Sequence, residues 1–117
     1  MYASSGCQCC HLWVGHMQER GFDVEAIYVA DIFAKKDALG VPVALRSCHT
    51  AEIGGYVVEG HVPAETILRF LAERPTDRGI AAPGMPGGSP GMESAPKVAF
   101  DVIAFAADGS TRVYARV

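Results

Sequence analysis

The sequence predicts an α/β fold, a mixed sheet flanked by helices and finished by a C-terminal β-hairpin. Three observations predict it. β-rich and helix-periodic segments alternate early in the chain. The turn signal Asp108-Gly109 separates two apolar runs at the end. The chain has 117 residues, half of them hydrophobic and 20% charged, which suffices for one domain, residues 1–117, with its own core.

Each element has a local reason. Residues 1–4 read as the remnant of a first strand. Cys10, Trp13, Val14 and Met17 then fall at i, i+3, i+4 and i+7, one helical face, and Gly21 is the stop. Phe22 to Val29 is β-branched and aromatic and reads as a strand. Asp31 is placed to cap a short helix through Leu39, ended by Gly40 and Pro42. Thr50 to Gly60 carries a strand with Tyr56, Val57 and Val58 near its centre. Pro63 opens a helix whose apolar stripe is Ile67, Leu68 and Leu71. Residues 75–97 hold five of the seven prolines and five glycines, and read as a long Pro/Gly/Met loop, a kind of segment that is often functional. Val98–Ala106 and Thr111–Val117 form the closing hairpin. Early β-α-β units before a late antiparallel hairpin give a thioredoxin-like outline.

The bulk properties exclude several functions. The net charge is −3, and no basic patch points to nucleic acid. The apolar stretches are too short and interrupted to span a membrane. No signal peptide is visible, since cysteines begin at residue 7. The protein is therefore cytosolic, or its export signal lies outside this chain.

The cysteines carry the chemistry. All four lie in two places, Cys7, Cys9 and Cys10 in S-G-C-Q-C-C-H, and Cys48 in R-S-C-H-T. Three thiols in four residues cannot form a spread-out disulfide framework; they suit a metal–thiolate or redox site completed by a distant sulfur. Cys7 and Cys10 form a C-x-x-C pair at a helix start, where unpaired N–H groups favour thiolate. Adjacent Cys9 and Cys10 chelate a single ion poorly, but can serve different ions or bridge several. Structural zinc prefers separated knuckles around one ion. The crowding therefore favours Cu(I), with room for more than one ion.

Cys48 precedes the third strand, the segment that packs beside a C-x-x-C in a thioredoxin-like fold, and His49 adds an imidazole as ligand or supporting partner. Met85 and Met92 sit in the Gly/Pro loop, where a thioether suits Cu(I). Blander readings stand beside these. Cysteines are often buried apolar residues, Met17 belongs to the core stripe, and a loop methionine can fill a gap. His11, His16 and His61 read as surface or hydrogen-bonded residues rather than ligands. Two rival functions remain open. A thiol–disulfide oxidoreductase would cycle Cys7 and Cys10, with Cys9 or Cys48 as resolving thiol. The other is a zinc or Fe–S module.

The chain resembles the CopG-type copper-resistance proteins. The shared stretches are C-Q-C-C-H-L-W (7–13), G-F-D-V (21–24), L-G-V-P (39–42), L-R-S-C-H-T-A (45–51), G-Y-V-V-E-G-H-V-P (55–63), P-G-M-P-G-G-S-P-G-M-E (83–93) and the ending D-G-S-T-R-V-Y. The resemblance implies an exported, periplasmic protein that binds copper through Cys7, Cys9, Cys10 and Cys48 with His49 beside them. It also implies a part in copper resistance, a redox role in that process, and other copper-handling proteins as partners. The thioredoxin-like order of elements and the clustered low-pKa thiols carry two structural expectations of their own. Cys48 sulfur lies within about 7 Å of at least two other cysteine sulfurs, and the oxidised, metal-free protein bridges a pair such as Cys7–Cys10.

Overall fold

The structure is a computed structural model that describes residues 1–4, 6–84, 88–90 and 98–117, without the side chain of Cys9. One mixed sheet runs in the order β2-β1-β3-β4-β5-β6-β7. Its strands are β1 (Tyr2–Ala3), β2 (Ile27–Tyr28), β3 (Thr50–Ile53), β4 (Tyr56–Gly60), β5 (Gly79–Ala82), β6 (Asp101–Phe105) and β7 (Thr111–Arg116). The helices are α1 (Gln8–Glu19), α2 (Ile32–Ala38) and α3 (Ala64–Glu73). Two pairings are parallel, β1 with β2 and β4 with β5; the other four are antiparallel.

Side-chain alternation along the strands divides the core in two. Val58, Ile80 and Val102 pack with Trp13 and Met17 of α1 and Ile67 and Phe70 of α3. Val57, Ala81 and Phe105 point the other way and meet Leu39 and Val41, just after α2. The local signals explain most boundaries. The Asp31 side chain accepts from Ala34 N at 3.1 Å and caps α2. Pro63, at φ −64°, leads into α3.

Four expectations are corrected. The strand foreseen over Phe22–Val29 shrinks to β2, because its ladder partner β1 is only two residues long. The single strand foreseen over Thr50–Gly60 is the β3–β4 hairpin. Gly54 and Gly55, at φ 57° and 89°, turn the chain as two-residue hairpin loops require. The segment 75–97 is not loop throughout, since β5 lies within it between β4 and β6. Leu68 is half exposed, and Phe70 takes its place in the core.

Candidate functional site

Cys7 is the N-cap of α1 and Cys10 lies in its first turn, fully buried. Their side chains are joined in a disulfide, with the Cα atoms 5.4 Å apart. Cys48 arrives from the other side, on the segment between the 3₁₀ turn Val43–Leu45 and β3. The sulfurs of Cys7, Cys10 and Cys48 all lie within 4.8 Å of one another. An ion held by three sulfurs at about 2.3 Å needs them about 4 Å apart, so small shifts suffice once the disulfide is reduced. The Cys9 side chain, Met85 and Met92 lie outside the described residues.

Cys48 also faces two imidazoles. Its sulfur is 2.9 Å from His61 Nε2 and 3.4 Å from His49 Nδ1. These three donor atoms likewise lie within 4.8 Å of one another. Cys48 thus belongs to an all-sulfur set on one side and a mixed nitrogen–sulfur set on the other. Both histidines are fully buried. The His49 ring stacks at a tilt on Trp13, centroids 4.5 Å apart, and lies 5.3 Å from the His61 ring. Trp13 is fixed in turn, its Nε1 donating to Val62 O at 3.0 Å.

His49 Nε2 is buried and has no hydrogen-bond partner among the described residues. Such an atom normally carries a cost that a ligand could remove. Burial holds the His49 pKa well below 6.5, and the nearby His61, Lys36 and N-terminal amine push it in the same direction. The ring is therefore neutral at pH 7 and keeps a lone pair for a metal.

The segment carrying Cys48 and His49 is held by β4. Gly60 N donates to His49 O at 2.9 Å, and Ser47 N donates to a Glu59 carboxylate oxygen at 2.8 Å. Ser47 Oγ donates to Gly84 O, the residue before Met85.

Other residues weighed from the sequence fall elsewhere. His11 pairs with the Tyr28 hydroxyl, 2.8 Å from Nδ1, on the surface. His16 Nε2 accepts from Ala64 N at 3.1 Å and ties α1 to the start of α3. Met17 is core. His61 is the residue that sequence reasoning missed. Its only signal was its place, just past the strand that pairs Glu59 with Thr50, which brings it opposite Cys48. Among the described residues no helix is long and apolar enough to cross a membrane.

Fold and site together define a small α/β protein with a partly buried cysteine–histidine cluster, whose donors suit a soft metal or thiol–disulfide exchange. Comparison with known proteins narrows this. Two solved structures, titled "Copper resistance protein copG" in forms 1 and 2, each match with a TM-score of 0.92 and 44% sequence identity. They cover 99% of this chain, which in turn spans 93% and 94% of theirs. The chain belongs to the family of copper resistance protein CopG. A family model described as "Protein of unknown function, DUF411" matches residues 45–92. No curated protein matches the chain.

Proposed function

We propose that this protein is a periplasmic Cu(I)-binding protein of copper resistance, whose ligands are the thiolates of Cys7, Cys9, Cys10 and Cys48. The observation that carries the reading is the meeting of three sulfurs within 4.8 Å at the N-terminus of α1, in a chain whose relatives are copper resistance proteins. Soft thiolates select Cu(I), and the helix N-terminus favours their ionised forms. Cys48 stands in both donor sets, which supports a reading with more than one ion, the second of which His49 and His61 would hold. Met85 and Met92 complete the proposed site or pass copper through it; Gly84, the residue before Met85, accepts a hydrogen bond from Ser47 beside Cys48. For Cys7 and Cys10 to bind copper, an external dithiol must first reduce their disulfide, its two thiols becoming a disulfide as the two cysteine thiols are released. Other copper-handling proteins are its expected partners.

The test is Cu(I) competition against a chelator, in anaerobic reduced protein. Cys48→Ser replaces a soft donor with a hard one and should weaken binding by more than the roughly 10–100-fold that changes around ligands cost. Unchanged affinity would reject the reading.

The disulfide itself favours a second reading, a thiol–disulfide or copper oxidoreductase. A third sulfur within 4.8 Å of Cys7–Cys10 is near enough to act as resolving thiol. A disulfide-reductase assay on wild type and Cys48→Ser separates the two: the oxidoreductase reading requires turnover in wild type, which the variant keeps if Cys7 and Cys10 cycle alone and loses if Cys48 is the resolving thiol. Absorption spectra of the metal-loaded protein address the remaining alternative, because an Fe–S module would be coloured in the visible and zinc silent.

A further inference from the structure

Lys36 of α2 and Glu59 of β4 form an ion pair with both side chains almost wholly excluded from solvent, at 1% and 0% exposure. Burying two charges is expensive, and apolar replacements of such pairs are often neutral or stabilising. Stability alone therefore does not account for a charged pair inside this sheet.

The bonds of the pair point to its use. Glu59 accepts from Lys36 Nζ, from Thr50 Oγ1 and, at 2.8 Å, from Ser47 N. Lys36 Nζ also donates to Thr50 Oγ1 at 3.0 Å. Beyond the pair itself, these bonds end on Ser47 and Thr50. Those residues bracket Cys48 and His49. A backbone bond, Gly60 N to His49 O at 2.9 Å, holds the same stretch from the next residue of β4.

We propose that Lys36 and Glu59 are positioning residues, a buried charge clamp that fixes the Ser47–Thr50 segment and so sets the place of the Cys48 sulfur and the His49 ring. The lysine holds the carboxylate in one orientation. The carboxylate grips both ends of a four-residue segment. Neither residue touches a metal; each acts through Cys48 and His49. The effect on copper rests on the Cu(I)-binding reading above, whereas the clamp itself does not.

Two double variants test it. Lys36→Met/Glu59→Leu removes both charges together, so that no lone charge is left buried, and removes the acceptor for Ser47 N. Lys36→Met/Glu59→Gln removes the charges but leaves an amide oxygen to accept from Ser47 N. The apolar variant should still fold cooperatively, yet bind Cu(I) about 10–100-fold more weakly. Amide exchange of residues 47–50 should quicken about tenfold, the factor carried by losing one hydrogen bond to a charged group, with little change elsewhere. The Gln variant should recover most of the affinity and of the protection. Wild-type affinity and wild-type exchange in the apolar variant would overturn the proposal. So would failure of both variants to fold, which would make the pair a stability element. If wild type itself binds no Cu(I), the copper reading fails separately, and exchange at residues 47–50 still decides the clamp.

Discussion

Gly60 is where the fold and the site constrain each other most tightly. It sits at φ 78°, a left-handed conformation that costs a residue with a side chain about 1–2 kcal/mol. A Cβ there would lie 2.7 Å from Ser47 Cβ and 2.7 Å from Ala82 O. Carbon atoms rest at about 3.5–4.0 Å, so roughly 1 Å must be found. Ala82 belongs to β5, hydrogen-bonded between β4 and β6, and has little room to give. Ser47 must move instead, and Cys48 follows it. Overpacking of this kind typically costs about 1–3 kcal/mol. Gly60→Ala should therefore lose about 2–5 kcal/mol of stability in all, and about 10–100-fold in Cu(I) affinity. Gly109→Ala is the control. It has φ 88° in the β6–β7 turn and nothing within 4 Å of its would-be Cβ, so it bears the backbone cost alone. Denaturant unfolding and chelator competition on both proteins give the comparison. If Gly60→Ala loses no more stability than Gly109→Ala and binds copper like wild type, the close approach of Ser47 does not set the site.

Two further outcomes follow from the same geometry. Trp13 is the sole tryptophan and its ring lies 4.5 Å from that of His49, so copper bound at the Cys48 imidazoles should quench its fluorescence in step with ion uptake; constant emission through saturation would place copper elsewhere. Acid should also weaken the fold through His49. Its folded pKa is held well below 6.5, so below that pH the unfolded chain takes up a proton that the native ring refuses. Stability then falls with pH, by up to about 1.4 kcal/mol per pH unit for one group. The fall starts above the carboxylate range, because Glu65 and Glu73 have pKa values lowered from 4.5 and lose their contributions only further down. His49→Gln should flatten the curve between pH 6.5 and 4.5, and an unchanged slope would refute the assignment.

What the sequence disclosed depended on whether a residue's role was local. The Asp31 cap, the Asp108-Gly109 turn and the helical stripe of Cys10, Trp13 and Met17 are set by neighbours a few positions away, and all were legible. The thiol cluster was legible because three of its members are adjacent in the chain. β5 was hidden by its composition. Gly79-Ile80-Ala81-Ala82 holds one large apolar side chain, and Gly79 must be small because its Cβ would fall 2.0 Å from Val57 O. Gly54-Gly55 was a readable hairpin signal that the strong Tyr56-Val57-Val58 run masked. Lys36 and Glu59 could not be read at all, and His61 only from its place in the chain. A charged or imidazole side chain is ordinarily solvated; here the fold buries all three, Lys36 from α2 against Glu59 and Thr50, and His61 against Cys48.

The register of Thr50 against Glu59 also bears on how copper binding and thiol chemistry would share one site. Cys7 and Cys10 belong to the first turn of α1, where a disulfide can form without involving the sheet. Cys48, His49 and His61 are carried by the sheet and its edges, and their places are set by β3–β4 pairing and by Glu59. Oxidation therefore removes two sulfur donors from one side of Cys48, while the nitrogen–sulfur set on the other side keeps all three of its members. Under the copper reading, the two sides are not equivalent. Cys7 and Cys10 serve as ligands only once their disulfide has been reduced, and the imidazole side keeps its donors in either state. A fold that kept all its donors on one mobile loop would couple the two sides. Here a helix start and a sheet supply them separately, so a change of redox state at Cys7–Cys10 need not disturb the imidazole set that Cys48 also serves.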